Sequence, residues 1–337
     1  MFSANNKNFY YFCKTFILKN THKLVKNGIV VKSTGSWYNV KQKNGEIVEC
    51  KIRGKFRLKG IKTTNPVAVG DNVDFKIDEK TGYGVIVKIH PRKNYIIRKS
   101  INLSKQAHIL AANIDQAVLM VTLVKPKTYP EFIDRFLVTA EAYSIPSKII
   151  FNKIDLYDTN TLDEMNQLID IYTKIGYECF KVSSKQNIGV NDIQELLSNK
   201  ISVVAGHSGV GKSTLINTIE PSLNLKTKEL SEYHEQGMHT TTYPEMHPIA
   251  KGGYIIDTPG IKGFGVIDMK KEEISHFFPE MFKVLHNCRF NNCTHYHEPD
   301  CAVKEAVKNG TINESRYRSY INLLTGDDDE KYRTNPY

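Results

Sequence analysis

The stretch Gly206-His207-Ser208-Gly209-Val210-Gly211-Lys212-Ser213-Thr214 limits what this chain can fold into more than any other, because it directly follows the apolar run Ile201-Ser202-Val203-Val204-Ala205. An apolar strand, a glycine-rich turn and Lys-Ser/Thr opening a helix form the setting that a phosphate-binding P-loop requires. The glycines let backbone N–H groups converge on a β-phosphate, and the helix N-terminus adds partial positive charge. The pattern predicts a helix over residues 214–219, with Lys212 bridging the β- and γ-phosphates and Ser213 placing a hydroxyl on Mg²⁺. A plain glycine-rich turn would not need the full GxxxxGKS.

The choice of nucleotide is written elsewhere. Asn152-Lys153-Ile154-Asp155 follows a second apolar run, Lys148-Ile149-Ile150-Phe151. At such a strand end, an NKxD reads guanine: the Asp155 carboxylate accepts from the ring N–H and the amino group, where adenine offers no matching donors. Ser183-Ser184-Lys185, after Val182, has the pattern that contacts guanine O6. Ile255-Ile256-Asp257-Thr258-Pro259-Gly260 supplies a strand and DxxG, with Asp257 acting on Mg²⁺ through water and the Gly260 N–H sensing the γ-phosphate. Together these motifs predict a site for GTP and GDP.

Their order is permuted. An ordinary GTPase begins with the P-loop and ends with NKxD and the serine motif, whereas this chain runs NKID, SSK, P-loop, Thr240-Thr241-Thr242 and DTPG. A ring of elements can be reopened in this way because domain termini often lie close together at the surface. The loop after Asp257 then leads straight into the C-terminal region, which makes residues 261–267 the expected route for signalling nucleotide state.

At 337 residues the chain has room for two or three domains, and no apolar run approaches bilayer length. Residues 1–25 form a leader with aromatic residues, lysine and no acidic residue. It makes a poor signal peptide, and an organelle transit peptide would normally carry arginine. It is read as disordered or dispensable, or as a start-site artefact, with targeting as the alternative. Residues 26–97 change to short β-rich runs: Gly28 to Val31, Trp37 to Val40, Ile47 to Ile52, Asn72 to Ile77 and Gly84 to Ile89, with Asn44-Gly45 as a hairpin turn. Five such strands predict a small barrel of the oligonucleotide-binding type. The first hundred residues carry 21 Lys/Arg against 6 Asp/Glu, a net +15, while the whole chain is +10. The basic excess therefore belongs to the barrel and leader. Within it, Lys51-Ile52-Arg53-Gly54-Lys55-Phe56-Arg57-Leu58-Lys59 alternates cations with mostly nonpolar residues, a pattern suited to a phosphate backbone.

Residues 90–100 read as a linker into a GTPase domain over residues 98–268. There the pattern alternates: a buried strand over 114–121, a helix over 130–143, the strand before Asn152, a helix over 162–175, a strand over 178–182, a helix over 190–197, then the P-loop strand. That alternation predicts a mostly parallel sheet with helices on both faces. In Gly237-Met238-His239-Thr240-Thr241-Thr242, one threonine, assigned as Thr241, completes the Mg²⁺ shell when the loop closes. Ile261 occupies the place where many GTPases put a water-orienting glutamine, so either His239 or a partner supplies that group and unaided hydrolysis is slow.

Residues 269–337 contain Cys288-x4-Cys293-x-His295-x5-Cys301. Three thiolates and one imidazole at this spacing predict one closed structural Zn²⁺ site, with His286 and His297 as competing ligands ranked below His295. Cys13, Cys50 and Cys179 are scattered, which argues against a disulfide framework and for a reducing, cytoplasmic compartment. Helices are expected over 302–308 and 314–324. The expected fold is thus multidomain: an N-terminal barrel, a central permuted α/β P-loop domain and a C-terminal α-helical zinc-binding domain.

The basic barrel, the permuted series NKID, SSK, GHSGVGKST, HTTT and DTPG, and the C-x4-C-x-H-x5-C knuckle together resemble the RsgA, or YjeQ, family of small-ribosomal-subunit biogenesis GTPases over residues 26–324. The resemblance implies a cytoplasmic monomeric GTPase that binds late precursors of the small subunit and its rRNA near the decoding region, assists maturation and leaves after hydrolysis. It further implies strong stimulation by the small subunit and a part in hydrolysis for the histidine matching His239. The competing reading is a GTP-dependent RNA-binding or chaperone module in which hydrolysis is incidental.

Overall fold

The computed structural model describes residues 25–52, 66–99, 107–225, 245–257 and 269–326. The leader, most of the basic run after Ile52, the segment holding His239 to Thr242, and residues 258–268 lie outside them, as does the proposed signalling route over 261–267.

Five strands open the described chain: β1 (Lys26–Ser33), β2 (Tyr38–Lys41), β3 (Ile47–Ile52), β4 (Asn72–Ile77) and β5 (Gly84–Ile89). They pair in the order β1-β2-β3-β5-β4, and β4 returns to β1, so the sheet closes into the expected barrel. The alternation of strand side chains fills it: Val30, Tyr38, Val40, Cys50, Val73, Phe75 and Ile86 are buried inside. The valine, isoleucine and phenylalanine side chains each contribute about 1.5–3 kcal/mol by leaving water. Gly84 has a packing reason, because a Cβ there would collide with Cys50 Sγ.

The expected linker is not one. Tyr95–Lys99 forms β6 and pairs antiparallel with β7 (Ala107–Ala112). Tyr95, Ile96 and Ile97 are β-branched or aromatic, and with a partner strand opposite them such residues fold as a ribbon. Ile96 is buried in the main core. At the barrel end of this segment, Arg92 grips buried Asp71 with Nε and Nη2, both at 2.6 Å, and Nη2 also donates to the Pro66 carbonyl at 2.7 Å. At the other end, the Asn94 amide exchanges two 2.8 Å hydrogen bonds with the Ile114 backbone. Barrel and central domain are therefore joined by paired backbone and side-chain contacts.

The central domain contains β8 (Gln116–Val121), α1 (Pro130–Ala142), β9 (Ser147–Phe151), α2 (Thr159–Ile175), β10 (Glu178–Lys181), α3 (Val190–Leu197), β11 (Lys200–Ala205), α4 (Lys212–Ile219), β12 (Glu245–Pro248) and β13 (Gly253–Asp257). Strands run β10-β9-β8-β11-β13 in parallel, with β12 antiparallel at the end. Along β8, Ala117, Leu119 and Val121 enter one core with α1 and α2, while Val118 and Met120 enter another with α3 and α4. A strand buried on both faces reads as a continuous apolar run for this reason. Helix α2 starts three residues before the expected position because the Asp158 carboxylate caps it, accepting from the Thr161 N–H at 2.8 Å.

Two junctions were not anticipated. β12 pairs with barrel strand β1 at Glu245 and Lys32, whose side chains form a 2.8 Å ion pair, so one eleven-stranded sheet spans barrel and central domain. The C-terminal part comprises a 3₁₀ stretch (Lys271–Phe277), α5 (Pro279–Phe282), α6 (Ala302–Lys308) and α7 (Glu314–Thr325). Its core takes in Val138 of α1. Arg316 of α7, 1% exposed, donates to Asp134 of α1 at 2.7 Å and to both oxygens of Glu280 at 2.7 and 3.3 Å. Burial works against the guanidinium charge, but Asp134 and Glu280 outweigh it and hold Arg316 firmly protonated. Tyr172 also donates to Asp134 Oδ1, at 2.9 Å.

Candidate nucleotide site and metal centre

Strand β11 lies between β8 and β13, so the turn leaving it opens at the middle of the carboxyl edge of the sheet. In open α/β sheets ligands bind at that edge. Two glycines fix the turn. Gly206 (φ +143°) leaves no room for a Cβ beside the Met120 carbonyl, and at Gly211 (φ +97°) a Cβ would lie 2.5 Å from Asn152 Nδ2. Helix α4 begins at Lys212, two residues before the expected start, so Lys212, Ser213 and Thr214 form its first turn. Lys212 Nζ arches over the loop and donates to the carbonyls of Gly206 and His207, both at 2.7 Å. Val210 is buried, Ser208 and Thr214 are exposed, and Gly209 gives its carbonyl to Lys153.

The guanine-type motifs meet this loop from the side. Asn152, 1% exposed, donates through Nδ2 to the Val210 carbonyl at 2.8 Å, and its Oδ1 accepts from the Ser184 N–H and Oγ at 3.1 and 2.9 Å. It thus ties the NKID, SSK and P-loop segments together. Lys153, at φ +62°, donates to the Gly209 carbonyl at 2.7 Å and the Lys125 carbonyl at 2.6 Å. Burial lowers its pKa, against the raising effect of Asp155. Ser183 Oγ donates to Asp155 Oδ1 while accepting from the Gln186 N–H at 3.1 Å. One carboxylate oxygen is oriented in this way. Ile154 packs on the core, and Lys185 is exposed.

Of the remaining expected residues, Asp257 ends β13, whose pairing with β11 sets its backbone beside the P-loop strand. His239, Thr241 and Gly260 lie outside the described residues. Two supports were not read from sequence. The Tyr157 hydroxyl donates to the Asn152 carbonyl at 2.8 Å and accepts from the Leu123 N–H at 2.9 Å, fixing the NKID backbone to the end of β8. Phe132 of α1 stacks on His207, ring centroids 3.9 Å apart. A tyrosine two residues past NKID was the available signal for the first; nothing local signalled the second.

In the C-terminal part, Cys288, Cys293, His295 and Cys301 bring four ligand atoms within 4.8 Å of one another. Cys288 Sγ to His295 Nδ1 is 3.5 Å, His295 Nδ1 to Cys301 Sγ 3.4 Å, and Cys288 to Cys301 Sγ 3.9 Å. Metal bonds of about 2.3 Å to sulfur and about 2.0 Å to nitrogen, set tetrahedrally, require edges of about 3.5–3.8 Å. The four residues can hold one metal ion, and the donor set and spacing fit structural zinc. His286 and His297 are not in the cluster. Helix α7 braces the loop: Tyr317 donates to the His295 carbonyl at 2.6 Å and Tyr320 to that of Thr294. Cys301→Ala is expected to reduce bound zinc from one per chain to near zero and to expose α6 and α7 to hydrogen exchange. Full zinc content in that variant would refute the assignment.

A central P-loop domain with its guanine motifs ahead of the P-loop, carrying a barrel before it and a Cys₃His module after it, defines a circularly permuted GTPase. The chain matches the RsgA GTPase family model over residues 89–267 and the RsgA N-terminal domain model over residues 27–86. It belongs to the RsgA GTPase family. It is 57% identical over 306 residues to the small ribosomal subunit biogenesis GTPase RsgA of Bacteroides fragilis, covering 91% of this chain and 98% of that protein. The protein of that name in Flavobacterium psychrophilum is 56% identical over 312 residues, 92% and 95% of the two chains. Among solved structures, YjeQ from Thermotoga maritima superposes with a TM-score of 0.74 at 38% identity, covering 90% of this chain and 98% of that one. YloQ, described as a circularly permuted GTPase, gives 0.70 at 30%, covering 94% and 99%.

Proposed function

We propose that this GTPase binds the small ribosomal subunit, assists its late maturation and is released by GTP hydrolysis. The observation that carries the reading is the 57% identity over 306 residues to a small-subunit biogenesis GTPase, along 98% of that protein's length. Asp155 selects guanine and is steadied by Ser183; Lys153, Ser184 and Lys185 complete that side of the pocket. Gly206 through Thr214 wrap the phosphates, with Lys212 exchanging its carbonyl partners for phosphate oxygens. Ser213 and Thr241 would hold Mg²⁺, which neutralises charge developing on the β- and γ-phosphates. Asp257 and Gly260 belong to the same phosphate face, and His239 orients the attacking water once the subunit is engaged.

The proposed division of labour is residues 1–25 as a leader, 26–97 for rRNA, 98–268 for nucleotide and 269–337 as the zinc module, with β6 straddling the second boundary. No helix among the described residues is long and apolar enough to cross a membrane, and the five described cysteines are free. A monomer working in the cytoplasm belongs to the same proposal. The test is GTP hydrolysis with and without purified small subunits at low and high salt. Strong stimulation that salt abolishes is expected, since phosphate contacts weaken steeply with ionic strength. Tight GTP binding with no stimulation would reject the reading and favour an RNA-binding module with incidental hydrolysis.

A further inference from the structure

The barrel carries a small aromatic cluster that no packing requirement explains. Trp37 ends the loop between β1 and β2, and Tyr83 ends the loop between β4 and β5. Although 46 positions apart in sequence, their ring centroids lie 4.6 Å apart, with the planes at 72°. Lys51, next to the end of β3, sets its Nζ 3.9 Å from the Trp37 ring centroid and 5.9 Å from that of Tyr83. The pairing explains the convergence: Tyr38 faces Cys50 across β2 and β3, and Gly84 faces Cys50 across β3 and β5, so the residues flanking these pairs meet at one end of the barrel. Tyr83 remains 40% exposed, and neither ring belongs to the barrel core.

We infer that Trp37, Tyr83 and Lys51 form a subsite for one unpaired nucleobase of single-stranded RNA. The inference rests on the small-subunit reading and adds the kind of RNA and the residues that meet it. Three observations favour this occupant. The two loops correspond to those with which small barrels of this topology grip oligonucleotides. An exposed ring beside a cation offers a base a π-face and its phosphate a partner, which is how single strands are held without sequence preference. Lys51 is also the first residue of the Lys51-to-Lys59 basic run, in the part of the chain whose net charge is +15. A duplex, with its bases stacked on one another, has no free base to offer, so the site discriminates single from double strands.

Trp37 is the only tryptophan in the chain, so its emission reports this site alone. The test titrates the full-length protein with a labelled single-stranded RNA 12-mer and with its duplex at low salt, following RNA anisotropy and Trp37 emission together. Expected are quenching of Trp37 that tracks single-strand binding and little quenching by the duplex. Tyr83→Ala and Tyr83→Leu should each weaken single-strand binding about 5- to 100-fold, the loss of one stacked base. Lys51→Met should lower the salt slope by about one. GTP binding and the thermal midpoint stay as in the parent. Single-strand binding with unchanged Trp37 emission, or parental affinity in both Tyr83 variants, overturns the subsite. If small subunits still stimulate hydrolysis in that case, the functional reading stands and the subsite alone is wrong. If neither RNA nor small subunits bind, both fall.

Discussion

Asp155→Asn is expected to lower GTP affinity by about 10²- to 10⁴-fold and to raise affinity for xanthosine triphosphate. The loss corresponds to two hydrogen bonds to a charged acceptor, each worth about 1.5–3 kcal/mol. The gain follows from how the side chain is held. Ser183 Oγ accepts from the Gln186 N–H and therefore directs its hydrogen to Asp155 Oδ1. In the variant the amide oxygen takes that position, which turns the NH₂ group toward the ligand. Xanthine carries a carbonyl where guanine has its amino group, so donor meets acceptor. Equilibrium binding of both nucleotides checks this. Unchanged GTP affinity would remove Asp155 from the guanine site, and loss of GTP without gain of xanthosine triphosphate would show that Ser183 does not set the orientation.

Arg316→Met is expected to destabilise the C-terminal module by about 3–5 kcal/mol, because it leaves Asp134 and Glu280 buried with no counter-charge. Among the described residues Asp134 Oδ2 already has no hydrogen-bond partner, and without Arg316 the carboxylate would keep only the neutral Tyr172 hydroxyl on Oδ1. Urea unfolding and limited proteolysis should both show α7 released ahead of the central domain. A quadruple variant, Arg316→Met with Asp134→Leu, Glu280→Met and Tyr172→Phe to remove the hydroxyl that Asp134 accepts from, should recover most of the loss, since an apolar replacement for a buried ion network is often neutral. Parental stability of the single variant would mean that the apolar contacts around Phe278 and Tyr320 hold the module without the ion network.

The parts legible in the sequence share one physical property: their geometry is enforced within a few residues. The P-loop could be read because Gly206 and Gly211 occupy backbone conformations where a Cβ collides. The metal centre could be read because a tetrahedral shell restricts ligand spacing, and Cys288, Cys293, His295 and Cys301 meet that restriction within fourteen residues. The barrel strands and β8 could be read because their apolar periods differ for half-buried and fully buried strands. Where a strand depends on a distant partner, the reading failed. Residues 90–100 read as a linker, although Tyr95–Lys99 is a strand that pairs with β7.

By itself, then, the sequence determined the class of the central domain, the permuted order of its motifs and the donor set of the metal centre, and it named the residues proposed to wrap phosphate and read guanine. Only the tertiary structure decided how those sites are mounted. Arg316 meets Asp134 from 182 positions away, Phe132 reaches His207 from the neighbouring helix, and Glu245 carries the central sheet into the barrel at Lys32. None of these partners is specified by spacing or period. They are selected by which surfaces exclude water together, and that is settled only when the whole chain has packed.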